Sequence, residues 1–408
     1  VERIAAHDAG HETDMINFCY DSLGDNPDLG YPNLAQPALA PDEFDTTWPR
    51  VLPLRLLMYL QQFGHHFQSW HVAHAPKGSW YPIALAWHDF ECDYLALASH
   101  TALARARRGE IKFFFYYHEG DHPGRIQQRF DLLCRQHDLP HDCYLFISAN
   151  SAADQYPRCY YFNDHEYFLS YINRRQTADW CDRSERPYEF TALNRIHKWW
   201  RASIMSDLYH EKVLDHSLWS YNTVLTEDDR PEDNPIRLDA RSDWSTKLQQ
   251  FLSGAPYECD GADAVSHNDH RRINVDLYTK SYCHLVLETL FDVDQSGGTF
   301  LTEKTWKCMK FGQPFVIIGP VGSLDILRRS GYRVFDHAID NAYDTIEDNT
   351  DRYLAVRKSI AEIKKQDMHQ WYLRCLDDVK YNQWQFHTKA NGTLDCLVKK
   401  LTEHSYTI

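Results

Sequence analysis

Apolar residues in this chain come in short unbroken blocks, and most blocks are followed by a segment of helical spacing. A continuous apolar run of four to eight residues reads as a strand buried on both faces, and a 3.6-residue period reads as an amphipathic helix. The clearest block is 111–117 (IKFFFYY), bounded by charge on its N-terminal side. A polar loop follows, and 125–137 then places Ile126, Phe130, Leu133 and Cys134 on one helical face. The same alternation is expected at 15–20, 83–87, 144–147 and 159–162 as strands, with a helix at 165–172.

The pattern breaks at 173–187 (NRRQTADWCDRSERP), which is charged and aperiodic, and then restarts. Strands are expected at 188–193, 284–287 and 314–318, and helices at 202–211, 244–252 and 303–311, the last stopped by Gly312. A helix at 323–330 and a short strand at 332–335 follow, and 350–408 reads as mostly helical. Between 24 and 41, glycine and proline predict an extended, irregular stretch, and 226–235 reads as an acidic loop. Two α/β units with a boundary near residue 185 result: 1–185, 186–350, and C-terminal helices over 351–408.

Composition narrows the function classes. At 408 residues the chain exceeds one ordinary domain, and 12 Trp, 25 Tyr and 20 Phe supply cores for two. A net charge of −15 argues against a broad nucleic-acid-binding surface. Eleven cysteines with no C-x-x-C pair predict reduced thiols and a cytoplasmic location. No apolar run approaches the roughly 20 residues that span a bilayer. His65, His66, His71 and His74 lack ligand spacing for a metal, and the D-x-D pair Asp292 and Asp294 reads as part of a flexible loop.

Candidate chemistry gathers at strand ends, where an open parallel sheet presents its loops to a ligand. Glu119 and Asp121 follow 111–117, and Glu288 follows 284–287. Asn194, Arg195, Lys198 and Arg201 sit at a strand-to-helix turn, where cations are poorly placed unless an anion joins them. Guanidinium groups bind diphosphate oxygens in a bidentate way. Thr302 is placed to cap the helix that starts at Glu303 and Lys304, so backbone N–H groups and a lysine could meet a phosphate there. The plain alternative has Glu303 favouring the helix dipole and Lys304 solvated. Ser323, after the turn 319–322, opens a second helix N-terminus of the same kind.

The stretch 300–322, with Thr302-Glu303-Lys304, resembles the donor-site motif of GT-B glycosyltransferases. Its wording is closest to the TEK element of fucosyltransferase family 10 and of phage and bacterial glycosyltransferase-like proteins. The order Leu193-Asn194-Arg195 with Arg201 is similar to the opening of their C-terminal domain, so the resemblance covers about 188–344. It implies two Rossmann-like domains facing across a cleft, with a C-terminal helix that crosses back to the first. It also implies transfer of a sugar from a nucleotide-diphosphate donor to a glycan or other hydroxyl acceptor, with inversion and with no metal or other cofactor. Asn194, Arg195, Lys198, Arg201, Glu288, Thr302, Glu303 and Lys304 would bind the donor, and Arg195, Arg201 and Lys304 would neutralise the leaving diphosphate. Glu119, or Asp121 behind it, would be the general base. Two rivals are a phage-type enzyme that glycosylates hydroxymethylated DNA, which needs a basic channel around Arg105, Arg107 and Arg108, and a non-catalytic sugar-nucleotide or glycan binder.

Overall fold

The computed structural model describes residues 15–22, 24–26, 56–57, 59–61, 64–85, 92–117, 119–172, 181–223, 230–237, 243–259, 273–293, 296–388 and 390–406. Its first sheet uses β1 (Ile16–Tyr20), β2 (Phe67–His71), β3 (Ser79–Ala84), β4 (Ile111–Tyr117), β5 (Tyr144–Ser148) and β6 (Cys159–Tyr161). Helices α1 (His100–Arg107), α2 (Pro123–Gln136) and α3 (Asp164–Ile172) accompany them. The strand order is β2-β1-β3-β4-β5-β6, and every pairing is parallel.

Period-two alternation along β4 explains the layers. Phe113, Phe115 and Tyr117 point into a core with Leu103, Ile126 and Phe130 of α1 and α2. Phe114 and Tyr116 point the other way, into a core that includes Leu394, Leu397 and Leu401. All seven residues are therefore buried, which is why the block carries no polar alternation.

The second sheet contains β7 (Tyr188–Asn194), β8 (Leu218–Tyr221), β9 (Ser281–Leu287) and β10 (Phe315–Ile318) in the order β10-β9-β7-β8, again wholly parallel. It is packed by α4 (Trp199–His210), α5 (Trp244–Ser253), α6 (Asp276–Thr279), α7 (Glu303–Phe311) and α8 (Ser323–Arg329). Three helices follow: α9 (Asn349–Lys364), α10 (Met368–Thr388) and α11 (Ala390–Tyr406). Trp371, Tyr372 and Cys375 of α10 join the core of the second sheet. Helix α11 returns to the first, where Trp80 Nε1 donates to the Leu401 carbonyl at 3.0 Å. Among the described residues no helix is long and apolar enough to cross a membrane.

Several expectations shift. Residues 332–335 form no strand, because Phe335 has φ of 63° while Val334 and Phe335 turn into the core. Strands β2 (FQSWH) and β8 (LWSY) lie where no apolar block announces them, and β3 starts at Ser79, ahead of the expected 83. The four histidines form no single cluster: His65 pairs with Asp395 at 2.9 Å, and His71 pairs with Asp25 at 3.2 Å with its ring 6.0 Å from that of His74. All eleven cysteines are free thiols, although the Cys134 and Cys143 sulfurs lie 3.6 Å apart. His118, Asp294, Arg271, Arg272, residues 27–50, 173–180 and 226–229 lie outside the described residues.

Candidate functional site at the facing strand ends

In the second sheet the chain runs from β7 to β8 on one side and from β9 to β10 on the other, a reversal of strand order at which parallel sheets form a crevice beyond the carboxyl ends of β7 and β9. Glu288 stands at the β9 side of that crevice, 0 % exposed. Its carboxylate accepts from the Thr302 hydroxyl at 2.6 Å, the Thr305 hydroxyl at 2.5 Å, the Thr302 N–H at 3.2 Å and the Thr289 N–H at 3.1 Å. Thr302 holds the N-cap position of α7 with extended backbone, but its hydroxyl donates to Glu288 instead of capping. Glu288 thus anchors the start of α7 from within the protein, with both carboxylate oxygens engaged by the chain's own N–H and hydroxyl groups. It also answers the positive end of the helix dipole.

Lys304 remains at the surface of this network. Its Nζ donates to Thr289 Oγ1 at 3.0 Å and Thr302 Oγ1 at 3.2 Å and lies 3.4 Å from Glu303 Oε1, with about a quarter of the side chain exposed (26 %). Glu303 in turn reaches toward the first domain, 4.0 Å from His165 Nδ1.

Arg201, expected at a diphosphate, is engaged by main-chain carbonyls. It is 3 % exposed, and its guanidinium donates to the Glu288 carbonyl from Nε at 3.2 Å and from Nη2, and to the Ile196 carbonyl from Nη1 at 3.2 Å. It ties the loop after β7 to the end of β9. Arg195, by contrast, is exposed and makes no ion pair among the described residues. Lys198 occupies the N-cap position of α4, half-buried and without a side-chain cap bond.

Asn194 ends β7 at 2 % exposure, and neither its amide nitrogen nor its amide oxygen has a hydrogen-bond partner among the described residues. Nearby, His197 bonds the Tyr221 hydroxyl through Nδ1 at 2.7 Å while Nε2 is unpartnered, and burial holds its pKa below the usual imidazole value. Unpaired buried polar groups cost free energy, so Asn194 and His197 are the groups at this strand end that a polar partner would satisfy. Ser323 offers no second anion site, since the Asp344 carboxylate already accepts from the Leu324 and Asp325 N–H groups at 3.0 and 3.1 Å.

The carboxyl ends of the first sheet face the same region. Segment 296–302, leaving β9, is held by the loops after β4, β5 and β6. Asn150 Nδ2 donates to the Ser296 carbonyl at 2.8 Å, Ser151 N–H to the Thr299 carbonyl at 2.9 Å, and Asn163 Nδ2 to the Leu301 carbonyl at 2.9 Å. Thr299 Oγ1 donates to the Val321 carbonyl, just past β10, at 2.7 Å. Phe300, 1 % exposed, lies against Gly120, so close that a Cβ there would fall 2.3 Å from its ring. Glu119 and Asp121 flank that contact, half-buried, and Asp121 accepts from the Tyr117 hydroxyl. The expected open cleft is narrowed here by the chain's own segment.

The structure therefore joins Arg201, Glu288, Thr302, Glu303 and Lys304 in one hydrogen-bonded network, places Asn194 and Arg195 beside it, and sets Glu119 and Asp121 across segment 296–302. Asn150, His165, His197 and Phe300 belong to the same region without having been singled out. Asn150 carries the signal that flagged Glu288, a polar residue just past a buried parallel strand. Of the three arginines at the end of α1, Arg105 is buried against the Val72 and Ala75 carbonyls, Arg107 bonds the His137 carbonyl, and Arg105 and Arg108 both pair with Glu110. A cavity of about 470 Å³ beside α1 is lined by His100, Thr101, Arg105, Arg108 and Glu110, and by none of the residues expected to bind the donor or act as base. No group of three or more His, Cys, Asp or Glu among the described residues is placed to hold a metal ion. Neither a family model nor a curated protein matches the chain.

Proposed function

We propose that this protein is a glycosyltransferase of GT-B type that moves a sugar from a nucleotide-diphosphate donor to an acceptor hydroxyl. The observation that carries the reading is the junction of the β7 and β9 carboxyl ends, where the unpartnered Asn194 amide precedes the exposed Arg195 and Lys304, about a quarter exposed, bonds Thr289 just past β9. A ligand with hydrogen-bonding edges and an anionic centre suits that set. Lys304 and Arg195 would meet the diphosphate, where fixed positive charge gains most as the glycosidic bond breaks. Arg201 and Glu288 would hold the crevice walls in place. Glu119 or Asp121, from the facing domain, would take the acceptor proton, and attack from that side inverts the anomeric centre.

A thermal-shift screen against uridine, guanosine, adenosine, cytidine and thymidine diphosphate sugars tests the reading. A donor at about a hundred times its dissociation constant adds about 2.7 kcal/mol of stability. That shift should disappear in Lys304→Ala, and a wild-type melting transition unmoved by every donor would overturn the assignment.

A second reading, a sugar-nucleotide-binding protein without transfer, is favoured by one observation: Phe300 covers the loop that bears the candidate bases. A donor-induced shift with no release of nucleoside diphosphate in the presence of any acceptor hydroxyl would support it.

A further inference from the structure

Asn150 is fully buried directly after β5, and its side chain is saturated. Nδ2 donates to the Gly120 carbonyl at 2.8 Å and the Ser296 carbonyl at 2.8 Å, with the Asp121 carbonyl at 3.4 Å. Oδ1 accepts from the Ala152 N–H at 2.9 Å. The first and third of those carbonyls lie on the loop that bears Glu119 and Asp121. The second opens the segment that runs into Glu303 and Lys304.

Ser151 repeats the link, since its N–H donates to the Thr299 carbonyl and its Oγ accepts from the Thr299 N–H at 3.0 Å. Backbone shape is matched to the contact. A Cβ on Gly298 would fall 2.3 Å from Asn150 Oδ1 and 2.6 Å from Ala152 Cβ, so only glycine lets the segment come this near. Gly297 has φ of +66°, and a Cβ there would lie 2.6 Å from the His122 ring.

We propose that Asn150 is a positioning residue: it sets the loop carrying Glu119 and Asp121 against the segment carrying Glu303 and Lys304, and so fixes the spacing between the acceptor side and the donor side. The catalytic half of this inference rests on the sugar-transfer reading, while the mechanical half does not. A single amide suits the task because one NH₂ group can satisfy a carbonyl from each domain at once. An isosteric carboxylate would turn that donor into an acceptor facing carbonyl oxygens, with no change of size.

Asn150→Asp is the test, with Asn150→Ser as the second variant should the first fail to fold. Hydrogen exchange should accelerate by about tenfold or more at 119–122 and 296–301 together, the equivalent of one lost hydrogen bond, while β9 and β10 keep wild-type protection. Unchanged exchange at either segment overturns the proposal. In assays of nucleoside diphosphate release from the donor that shifts the wild type, kcat should fall at least about tenfold while KM for the donor stays within about twofold. Equal losses in donor affinity and rate, or no loss in rate, would reduce Asn150 to a packing role and overturn its positioning role. If no donor shifts the wild type and none releases nucleoside diphosphate, the sugar-transfer reading falls by itself, and the exchange result alone decides whether Asn150 joins the two segments.

Discussion

Arg201 donates from both Nε and Nη2 to the main-chain carbonyl of Glu288, and leaves the Glu288 carboxylate to the threonines of α7. A guanidinium that would otherwise be read as a ligand contact is thus a brace across the crevice between β7 and β9. Side chain and backbone of one glutamate hold two different elements.

Replacing that brace should show in stability before it shows in binding. Arg201→Met leaves the Glu288 and Ile196 carbonyls without their donor in a site closed to solvent. The expected cost is about 2 to 4 kcal/mol in urea denaturation. Wild-type stability combined with lost donor affinity would instead place the guanidinium on the ligand.

Glu288→Gln probes the same junction from the other side. The amide keeps one acceptor oxygen for the donors that now share two, and it removes the negative charge from the first turn of α7. A loss of about 1 to 3 kcal/mol follows, with faster exchange at the amides of 302–305. The effect should be the same with and without a nucleotide sugar, because the carboxylate is fully buried and bonded to the chain itself.

Gly120 and Phe300 form a close contact between the two domains that a single substitution can address. Gly120→Ala places a methyl 2.3 Å from the Phe300 ring, an overpacking that should cost about 1 to 3 kcal/mol. Phe300→Gly removes the obstacle, both the ring and the Phe300 Cβ that would lie 2.4 Å from the new methyl, at its own cost in lost burial. The double variant should therefore be more stable than the sum of the two losses predicts, a coupling visible in a double-mutant cycle. Additive losses would mean that the two residues do not touch.

Much of the architecture was legible because buried parallel strands have an unmistakable composition. Residues 111–117 and the helix 303–311 with its left-handed Gly312 stop needed no tertiary information. Strands β2 and β8 were hidden because each is an edge strand with half-exposed polar positions, so neither apolar runs nor strict alternation mark them. Strand ends pointed to the residues that the structure gathers at the candidate site, but not to what each group bonds there. Arg195 and Arg201 look equivalent as letters, yet one is exposed and the other is enclosed by carbonyls. That difference depends on a loop nearly ninety residues further on, which no local pattern encodes. The partnership of Asn150 with Ser296 is likewise a matter of how two domains meet.

Lys310 supplies a prediction that separates charge from packing. It lies on the buried side of α7 at 0 % exposure, with Nζ donating to the Leu169 carbonyl of α3 at 2.8 Å, and burial lowers its pKa to about 7. In the unfolded chain a lysine keeps its proton to about pH 10.4. Between about pH 7 and 10.4 the unfolded chain therefore binds more protons than the folded one, and this group makes stability rise with pH across that window. The contribution is lost as pH falls through about 7, where the folded protein must bury an ammonium ion. Lys310→Met removes both the charge and the bond to Leu169. The variant should be more stable than wild type at pH 6, by about 2 kcal/mol after the lost hydrogen bond is deducted. At pH 9.5 that advantage should shrink to nothing or reverse, because the wild-type amine is then neutral in the fold and still bonded. Urea denaturation of both proteins at the two pH values reads the difference directly, and cancels the titration of every group the two share. Parallel stability profiles for the two proteins would mean that Lys310 keeps its ordinary proton affinity inside the fold.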